Sequence, residues 1–228
     1  MLNTKRLRVS TSSTPMQAAK KRGASVANIW HFQSPKNRKR VVFVGDMVFM
    51  YAVIIEGDVN VENYQINDME IDVCVEGTIQ SFTPAIKVQL TNGSTEWIDF
   101  QSIRGRGKTS TMVARVHQVM RPVFPGIYRI VTDKDLLGSY VLFENWLNLC
   151  GMINRCRHLF CGNEDEILLS FFRQNKQIPL SLLLDSEGVD RARMLASVAR
   201  ALQAGIITAD LSKSHLTPVT QLNRCRDE

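Results

Sequence analysis

The chain has 228 residues, 44% of them hydrophobic, and a formal net charge of +6. This length provides for one large domain or two small ones, and the apolar fraction predicts a buried core, which excludes a chain that is disordered throughout. The longest apolar run, residues 47–55, is too short to span a bilayer, and the first residues lead into polar sequence rather than into the apolar segment of a signal peptide.

Positive charge is concentrated near the N-terminus. Residues 1–40 contain ten Lys or Arg side chains and no Asp or Glu, whereas the rest of the chain has a net charge of −4. Residues 1–28 are rich in Ser, Thr, Lys and Ala and are predicted to form an extended arm. Such an arm suits a polyanion and is equally typical of a solvated tail. The candidate phosphate-binding residues of this segment are Lys20, Lys21, Arg22, Lys36, Arg38, Lys39 and Arg40.

The five cysteines lack the pattern of a disulfide framework, which favours a reducing cytosol. Four residues near the end of a predicted helix raise the question of a zinc site. They are Cys150, Cys156, His158 and Cys161. Their C-x5-C-x-H-x2-C spacing lacks the paired C-x2-C knuckle that usually holds zinc, so buried thiols are the favoured interpretation.

The first ordered segment is predicted at Ile29–Phe32, whose aromatic residues suit an anchor in a core, and a short strand is predicted at Val41–Val44. Asp46 is a candidate N-cap for a helix. The run 47–55 is apolar throughout, so periodicity does not separate a buried helix from a buried strand. Alternating apolar and polar residues in 69–75 predict a half-buried strand.

A hairpin is the most informative local pattern in the chain. Apolar and polar residues alternate in 86–90, a strand follows at 96–101, and the Asn-Gly pair within Thr91–Ser94 predicts a tight turn between them. We expect an antiparallel meander here, in which position 85 lies close to positions 99 and 101. Those positions hold Ala85, Asp99 and Gln101.

A basic loop follows the hairpin. Arg104, Arg106 and Lys108 are candidates for contact with a nucleic-acid backbone. The loop has a superficial similarity to a P-loop, but the first glycine of that motif would fall on Ser102, so nucleotide binding is rejected. The next predicted elements are a helix at 111–120, a strand at 127–131 and a helix at 134–150.

The last third of the chain predicts three helices and a small hairpin. The helices are expected to begin at Asn163, to occupy Leu180–Leu184, and to run from about Asp190 to Ala204, with Gly205 as the stop. Segments 206–211 and 216–220 are expected to form the hairpin. This order is typical of a winged helix–turn–helix domain.

The third of these helices carries three arginines, Arg191, Arg193 and Arg200. They suit contacts with DNA phosphates or bases, and they suit equally the solvated face of a helix that docks on a protein.

Four segments, colinear and similarly spaced, resemble the TnsA family, the endonuclease subunits of heteromeric transposases. They are Phe32–Arg38, Tyr51–Val61 with the following Tyr64 and Gln65, Gly77–Gln101, and Ile206–Pro218. The first is similar to an aromatic-x-Ser-x-Lys entry, and the second to a long apolar helix followed by Glu, Asp and Tyr. The third is similar to the family's T-P-D-F and acid-x-Lys strands, and the fourth to the end of its winged helix.

The resemblance implies an α/β fold with a restriction-endonuclease-like domain at 29–150, a linker at 151–162 and a winged-helix domain at 163–222. It implies that residues 47–55 form a helix. It also implies a role in DNA transposition at transposon ends, with a TnsB-like DDE transposase and a TnsC-like AAA+ ATPase as partners, in the bacterial cytoplasm and nucleoid. In that family the subunit nicks the 5′ ends of the element.

The family's catalytic positions map to Val48, Ala85, Asp99 and Gln101. Metal-dependent cleavage needs anionic oxygens around Mg²⁺, and Val48 and Ala85 supply none. Gln101 offers a neutral amide in place of the family's lysine. No catalytic residue is therefore assigned, and Asp99 is the metal ligand if any residue is.

Four nearby acids are candidates for a displaced metal site: Asp46, Glu56, Asp58 and Glu96. Glu96 is expected on the opposite strand face from Asp99, because their spacing is odd. The sequence thus predicts a catalytically inactive, DNA-binding TnsA-like subunit with no cofactor. The alternatives are an active Mg²⁺-dependent endonuclease with a rebuilt site and a winged-helix DNA-binding regulator.

Overall fold

The computed structural model describes residues 28–66, 71–75, 78–82, 84–101 and 126–225. The predictions for the basic arm up to residue 27, for the loop 104–109 and for a helix at 111–120 lie outside these ranges, and with them the candidates Lys20, Lys21, Arg22, Arg104, Arg106 and Lys108. The described chain has a mixed α/β fold. Within the described ranges, no helix is both long and apolar enough to cross a lipid bilayer.

The chain divides into two compact units, and neither is continuous in sequence. The first unit comprises the chain up to Phe32, Val41–Met50 and Asn60–Gly138, and the second comprises Gln33–Arg40, Tyr51–Val59 and the chain from Ser139. Three elements contribute residues to both units: β1 (Ile29–Ser34), β2 (Lys39–Val44) and α1 (Asp46–Ile55). The apolar run 47–55 is therefore helical, as the family resemblance implies.

A four-stranded sheet forms the body of the first unit. Its strands are β3 (Val61–Ile66), β6 (Ile86–Leu90), β7 (Thr95–Gln101) and β8 (Ile127–Thr132), in the order β3-β6-β7-β8. Strand β8 runs parallel to β7, and the other pairs are antiparallel. β4 (Ile71–Val75) and β5 (Thr78–Phe82) form a separate two-stranded sheet, and α2 (Asp133–Leu137) follows β8.

The predicted antiparallel meander is correct for the β6–β7 hairpin and wrong for the strand that pairs with the other edge of β6. In the hairpin, Gly93 has a positive φ of 82°, and Asn92 accepts a hydrogen bond from the Ser94 N–H at 2.9 Å. Strand β3 pairs with the other edge of β6, in the place where the strand at 69–75 was expected. Pairing partners of this kind depend on long connections, which local alternation does not specify.

Part of the core of the first unit lies on the face of this sheet that carries Ile86. Ile86, Val88 and Ile98 are almost completely buried there. Tyr64 of β3 is buried as well and stacks on Phe43 of β2, with ring centroids 6.5 Å apart. Phe43 in turn contacts Phe49 of α1. Of the aromatic residues predicted as an anchor, Phe32 is buried and contacts Phe49, whereas Trp30 stacks on Phe49 and is 38% exposed.

The second unit is built around one buried helix. Its elements are α3 (Tyr140–Arg155), α4 (Gly162–Gln174), β9 (Gln177–Pro179), α5 (Leu180–Leu184), α6 (Arg191–Gln203), β10 (Ile207–Thr208) and β11 (Gln221–Arg224). α6 packs against α3, α4 and α5, and buries Met194 and Val198 completely. The three strands form an antiparallel sheet in the order β10-β11-β9.

Three boundaries differ from the sequence predictions. The single helix expected at 134–150 is two helices: a capping box between Thr132 and Asp135 starts α2, and the chain turns at Gly138 before α3 begins. The last strand lies at Gln221–Arg224 and not at 216–220. Residues 151–155, assigned to a linker, form the last turn of α3. The predicted stop at Gly205 is confirmed, with a φ of 71°.

Candidate functional site

The β6–β7 hairpin places Ala85 beside Asp99. Ile86 pairs with Ile98, so Ala85 precedes this pair on one strand and Asp99 follows it on the other. The Ala85 N–H donates a hydrogen bond to the Ile98 carbonyl oxygen at 2.8 Å. The expected proximity of these positions is therefore present in the backbone, and a methyl group occupies the place where the family has its aspartate.

The Asp99 carboxylate accepts hydrogen bonds on both of its oxygens. Its Oδ1 accepts from the Phe100 N–H at 2.9 Å, and its Oδ2 accepts from the Tyr128 hydroxyl at 3.1 Å. Tyr128 lies on β8 and is buried. Burial raises the pKa of Tyr128, and the charge and hydrogen bond of Asp99 raise this pKa further. The hydroxyl therefore remains a donor at neutral pH, and the carboxylate is engaged within the protein.

Replacing Tyr128 by phenylalanine is expected to cost about 1 kcal/mol, because Asp99 loses one donor. The pKa of Tyr128 is higher in the folded state than in the unfolded state. Its stabilising effect is therefore fully present below a pH of about 10 and is lost as the pH rises above that value. A titration of absorbance at 295 nm, wild type minus Tyr128→Phe, should show no ionisation before alkaline unfolding. A difference step near the ordinary tyrosine pKa would contradict the burial of this hydroxyl.

The other two family positions do not complete a metal site. Val48 lies half-buried in α1, and Gln101 ends β7, where it pairs with Thr132 of β8. Mg²⁺ prefers several oxygen ligands, and of these four positions only Asp99 has a carboxylate, which is already bound by Tyr128. Across the described residues, no group of three or more His, Cys, Asp or Glu side chains is arranged to hold a metal ion. The four positions that the resemblance maps therefore do not supply the oxygen ligands that Mg²⁺ prefers.

The acids considered as substitutes have other partners. Asp46 accepts hydrogen bonds from Asn28 and from the Trp30 indole, at 2.9 and 2.8 Å. Glu96 forms a salt bridge with Arg129 at 3.2 Å. The register pairs Glu96 with Val88 on the core side of the sheet, which places it on the opposite face from Asp99, as its odd spacing predicts.

Glu56 is the centre of a buried polar cluster in the second unit. Its side chain is fully buried and accepts hydrogen bonds from the Ser34 hydroxyl, from the Lys36 backbone N–H at 2.9 Å and from the Gln203 amide at 3.1 Å. The Lys36 ammonium donates to the Asp58 carbonyl oxygen at 2.9 Å. Two of the segments that carry the TnsA resemblance therefore meet in this cluster, which we name the Glu56 cluster.

Lys36 is partly buried, whereas the other basic residues of its turn are exposed. Burial lowers its pKa, against the opposing charges of Glu56 and Asp58, and its ammonium is bound to the Asp58 carbonyl oxygen. Arg38, Lys39 and Arg40 are exposed, and Arg38 holds a left-handed backbone conformation with a φ of 53°. Of the DNA-contact candidates in this turn, these three remain accessible to a phosphate.

The arginines of α6 are partly engaged within the second unit. Arg191 forms a salt bridge with Asp185 at 2.5 Å, and both side chains are largely exposed. Arg193 donates to the Phe160 carbonyl oxygen at 3.4 Å, and Arg200 to the Ser197 hydroxyl at 3.3 Å. An exposed ion pair of this kind is weak, so Arg191 is able to exchange Asp185 for a phosphate at little cost.

The cysteines are placed as buried thiols. Cys150, Cys156 and Cys161 are buried, and burial raises the pKa of Cys150 and of Cys156. Cys156 and Cys161 pack with Ala196 of α6, whereas His158 is exposed and accepts a hydrogen bond from Arg157 at 2.8 Å. These contacts agree with the interpretation of the cysteines as core residues.

A buried amide fixes the segment between β10 and β11. Asn145 of α3 is 2% exposed. Its Nδ2 donates to the carbonyl oxygens of Leu211 and Ser214, both at 2.8 Å, and its Oδ1 accepts from the Leu216 N–H at 2.8 Å. Sequence reasoning missed Asn145 and Tyr128, because each acts on residues far away along the chain.

No protein-family model and no curated protein matches this chain.

Proposed function

We propose that the protein is a catalytically inactive TnsA-like subunit of a DNA transposition complex. It binds DNA at transposon ends and bridges a TnsB-like transposase and a TnsC-like ATPase. The observation that carries the proposal is the β6–β7 hairpin, in which Ala85 lies beside an Asp99 whose carboxylate is bound by Tyr128. Under this proposal the hairpin keeps the strand arrangement that the resemblance implies, and Ala85 supplies no ligand for a metal ion.

The second unit supports the DNA-binding part of this proposal. The element order α4, β9, α5, α6, β10, β11 and the strand order β10-β11-β9 are those expected of a winged helix–turn–helix domain. In that arrangement α6 is the recognition helix, with Arg191 and Arg193 near its N-terminal end, and the loop held by Asn145 is the wing.

A cleavage assay tests the catalytic part. The full-length chain, with the partner transposase and ATPase, is incubated with end-labelled transposon-end DNA and Mg²⁺ or Mn²⁺. We expect no nicking of the 5′ strand above background, and the same result for Asp99→Ala. Joining of the transposon 3′ ends by the partner transposase in the same reaction is the control that the complex has assembled.

A metal-dependent 5′ nick that Asp99→Ala abolishes would overturn the proposal and favour the active endonuclease with a rebuilt site. The winged-helix arrangement of the second unit also supports a second candidate, a DNA-binding regulator without transposition partners. Co-purification of the tagged full-length chain with a TnsB-like transposase and a TnsC-like ATPase separates the two, because a regulator of this kind is not retained in such a complex.

A further inference from the structure

Lys87 lies on the same face of the sheet as Asp99, and the TnsA resemblance assigns no role to this lysine. Side chains alternate along a strand, and paired residues share a face. Lys87 of β6 pairs with Trp97 of β7 on one side and with Gln65 of β3 on the other. Trp97 lies two residues before Asp99, so Lys87 and Asp99 are on the same face. We name this the polar face: Gln65, Lys87, Gln89, Trp97, Asp99 and Tyr128.

The side chain of Lys87 packs over the ring of Trp97. Its ammonium group lies over the Trp97 ring, 5.3 Å from the centroid, and the ring is almost completely buried. A cation–π contact of this kind restricts the side chain before any ligand binds. Among the described residues, the contact of the Lys87 ammonium is with this ring rather than with a carboxylate. The charge of Lys87 therefore remains available.

The neighbours of Lys87 have partners of their own or are neutral. The Asp99 carboxylate keeps its negative charge, and its oxygens accept hydrogen bonds from the Tyr128 hydroxyl and the Phe100 N–H. Gln65 presents an exposed neutral amide directly across from Lys87. An ammonium beside an amide donor is a suitable pair for a phosphate oxygen.

We propose that Lys87, with Gln65 beside it, binds a phosphate of the DNA backbone on the polar face. The inference rests on the proposed DNA-binding function and assigns a ligand to the inactive hairpin. In a metal-dependent nuclease a divalent ion holds the phosphate and also polarises it. An ammonium group supplies positive charge without the Lewis acidity of a metal, so this face binds the backbone and leaves it intact.

The test is the salt dependence of duplex binding by the full-length chain. Lys87→Met keeps the apolar stem over Trp97 and removes the charge, and Lys87→Arg keeps the charge. The matched control is Lys134→Met, since Lys134 is an exposed lysine of the same unit. Equilibrium affinities for a fluorescent transposon-end duplex are measured between low and moderate salt, and thermal melting confirms that each variant is folded.

We expect Lys87→Met to weaken binding and to reduce the slope of log K against log salt by about 1, the value for one lost phosphate contact. Lys87→Arg should keep the wild-type slope, and Lys134→Met should match the wild type. A folded Lys87→Met variant with the wild-type slope would overturn the site while leaving the proposed function in place. Absence of duplex binding by the wild type itself would overturn both.

Discussion

Replacement of Glu56 by alanine is expected to lower the free energy of unfolding by about 3–5 kcal/mol, the range found when one partner of a buried charged group is removed. The substitution removes the carboxylate that accepts from the Ser34 hydroxyl and the Lys36 N–H. The Gln203 amide also loses this carboxylate and keeps its bond to the carbonyl oxygen of residue 56 at 3.0 Å. The substitution also removes a negative charge that favours the partly buried Lys36 ammonium. Chemical denaturation of the full-length variant measures the loss.

The matched control is Glu62→Ala, because Glu62 is an exposed glutamate of β3. Its effect should be within about 0.5 kcal/mol of the wild type, as is usual for surface positions. Glu56→Gln keeps the shape of the side chain but replaces one acceptor by an amide donor, so an intermediate loss of about 1–3 kcal/mol is expected. Equal stability of Glu56→Ala and the wild type would show that the Glu56 cluster does not hold the fold together.

Asn145→Asp is expected to cost about 2–4 kcal/mol at neutral pH, since two buried hydrogen bonds are lost and a charge is added. The acceptor for the Leu216 N–H is kept, but the donors to Leu211 and Ser214 are replaced by a carboxylate that faces two carbonyl oxygens. Burial beside these oxygens raises the pKa of the introduced acid. The loss should therefore shrink as the pH falls toward 5 and the acid becomes protonated.

Amide hydrogen exchange locates this effect. Protection should fall between Leu211 and Leu216 in Asn145→Asp, ahead of any general loss of structure. Asn148→Asp is the control, because it makes the same change on an exposed position of the same helix. We expect Asn148→Asp to be within about 0.5 kcal/mol of the wild type. Comparable losses in the two variants would exclude a specific role for the Asn145 amide.

The sequence predicts those turns and helix ends that are determined by residues close together in the chain. The β6–β7 turn is recognisable because Asn92 and Gly93 form it locally, and the position of Ala85 beside Asp99 follows from two adjacent strands. α6 is recognisable in the same way, because Asp190 caps its start and Gly205 ends it.

Contacts between distant segments are not predictable in this way. Tyr128 reaches Asp99 only because β8 pairs in parallel with β7, after a connection of two dozen residues that has no pairing signal. Strand β9 is missed because it has three residues and ends in Pro179. The exposed basic turn at Arg38–Arg40 is visible in the sequence, but the contacts of Lys36 are with Glu56 and Asp58, some 20 residues further along the chain.

The second unit is assembled from separate stretches of chain, so no single contiguous gene segment encodes it. Ser34, Lys36 and Glu56 come from stretches before residue 60, and Gln203 comes from the end of α6. A fragment that starts at Ser139 therefore keeps only Gln203 of the Glu56 cluster and leaves its amide without the Glu56 carboxylate. Fusion of the C-terminal helices alone to another protein would therefore lose these contacts. Substitutions in Gln33–Arg40 or Tyr51–Val59 are therefore expected to affect the stability of the second unit.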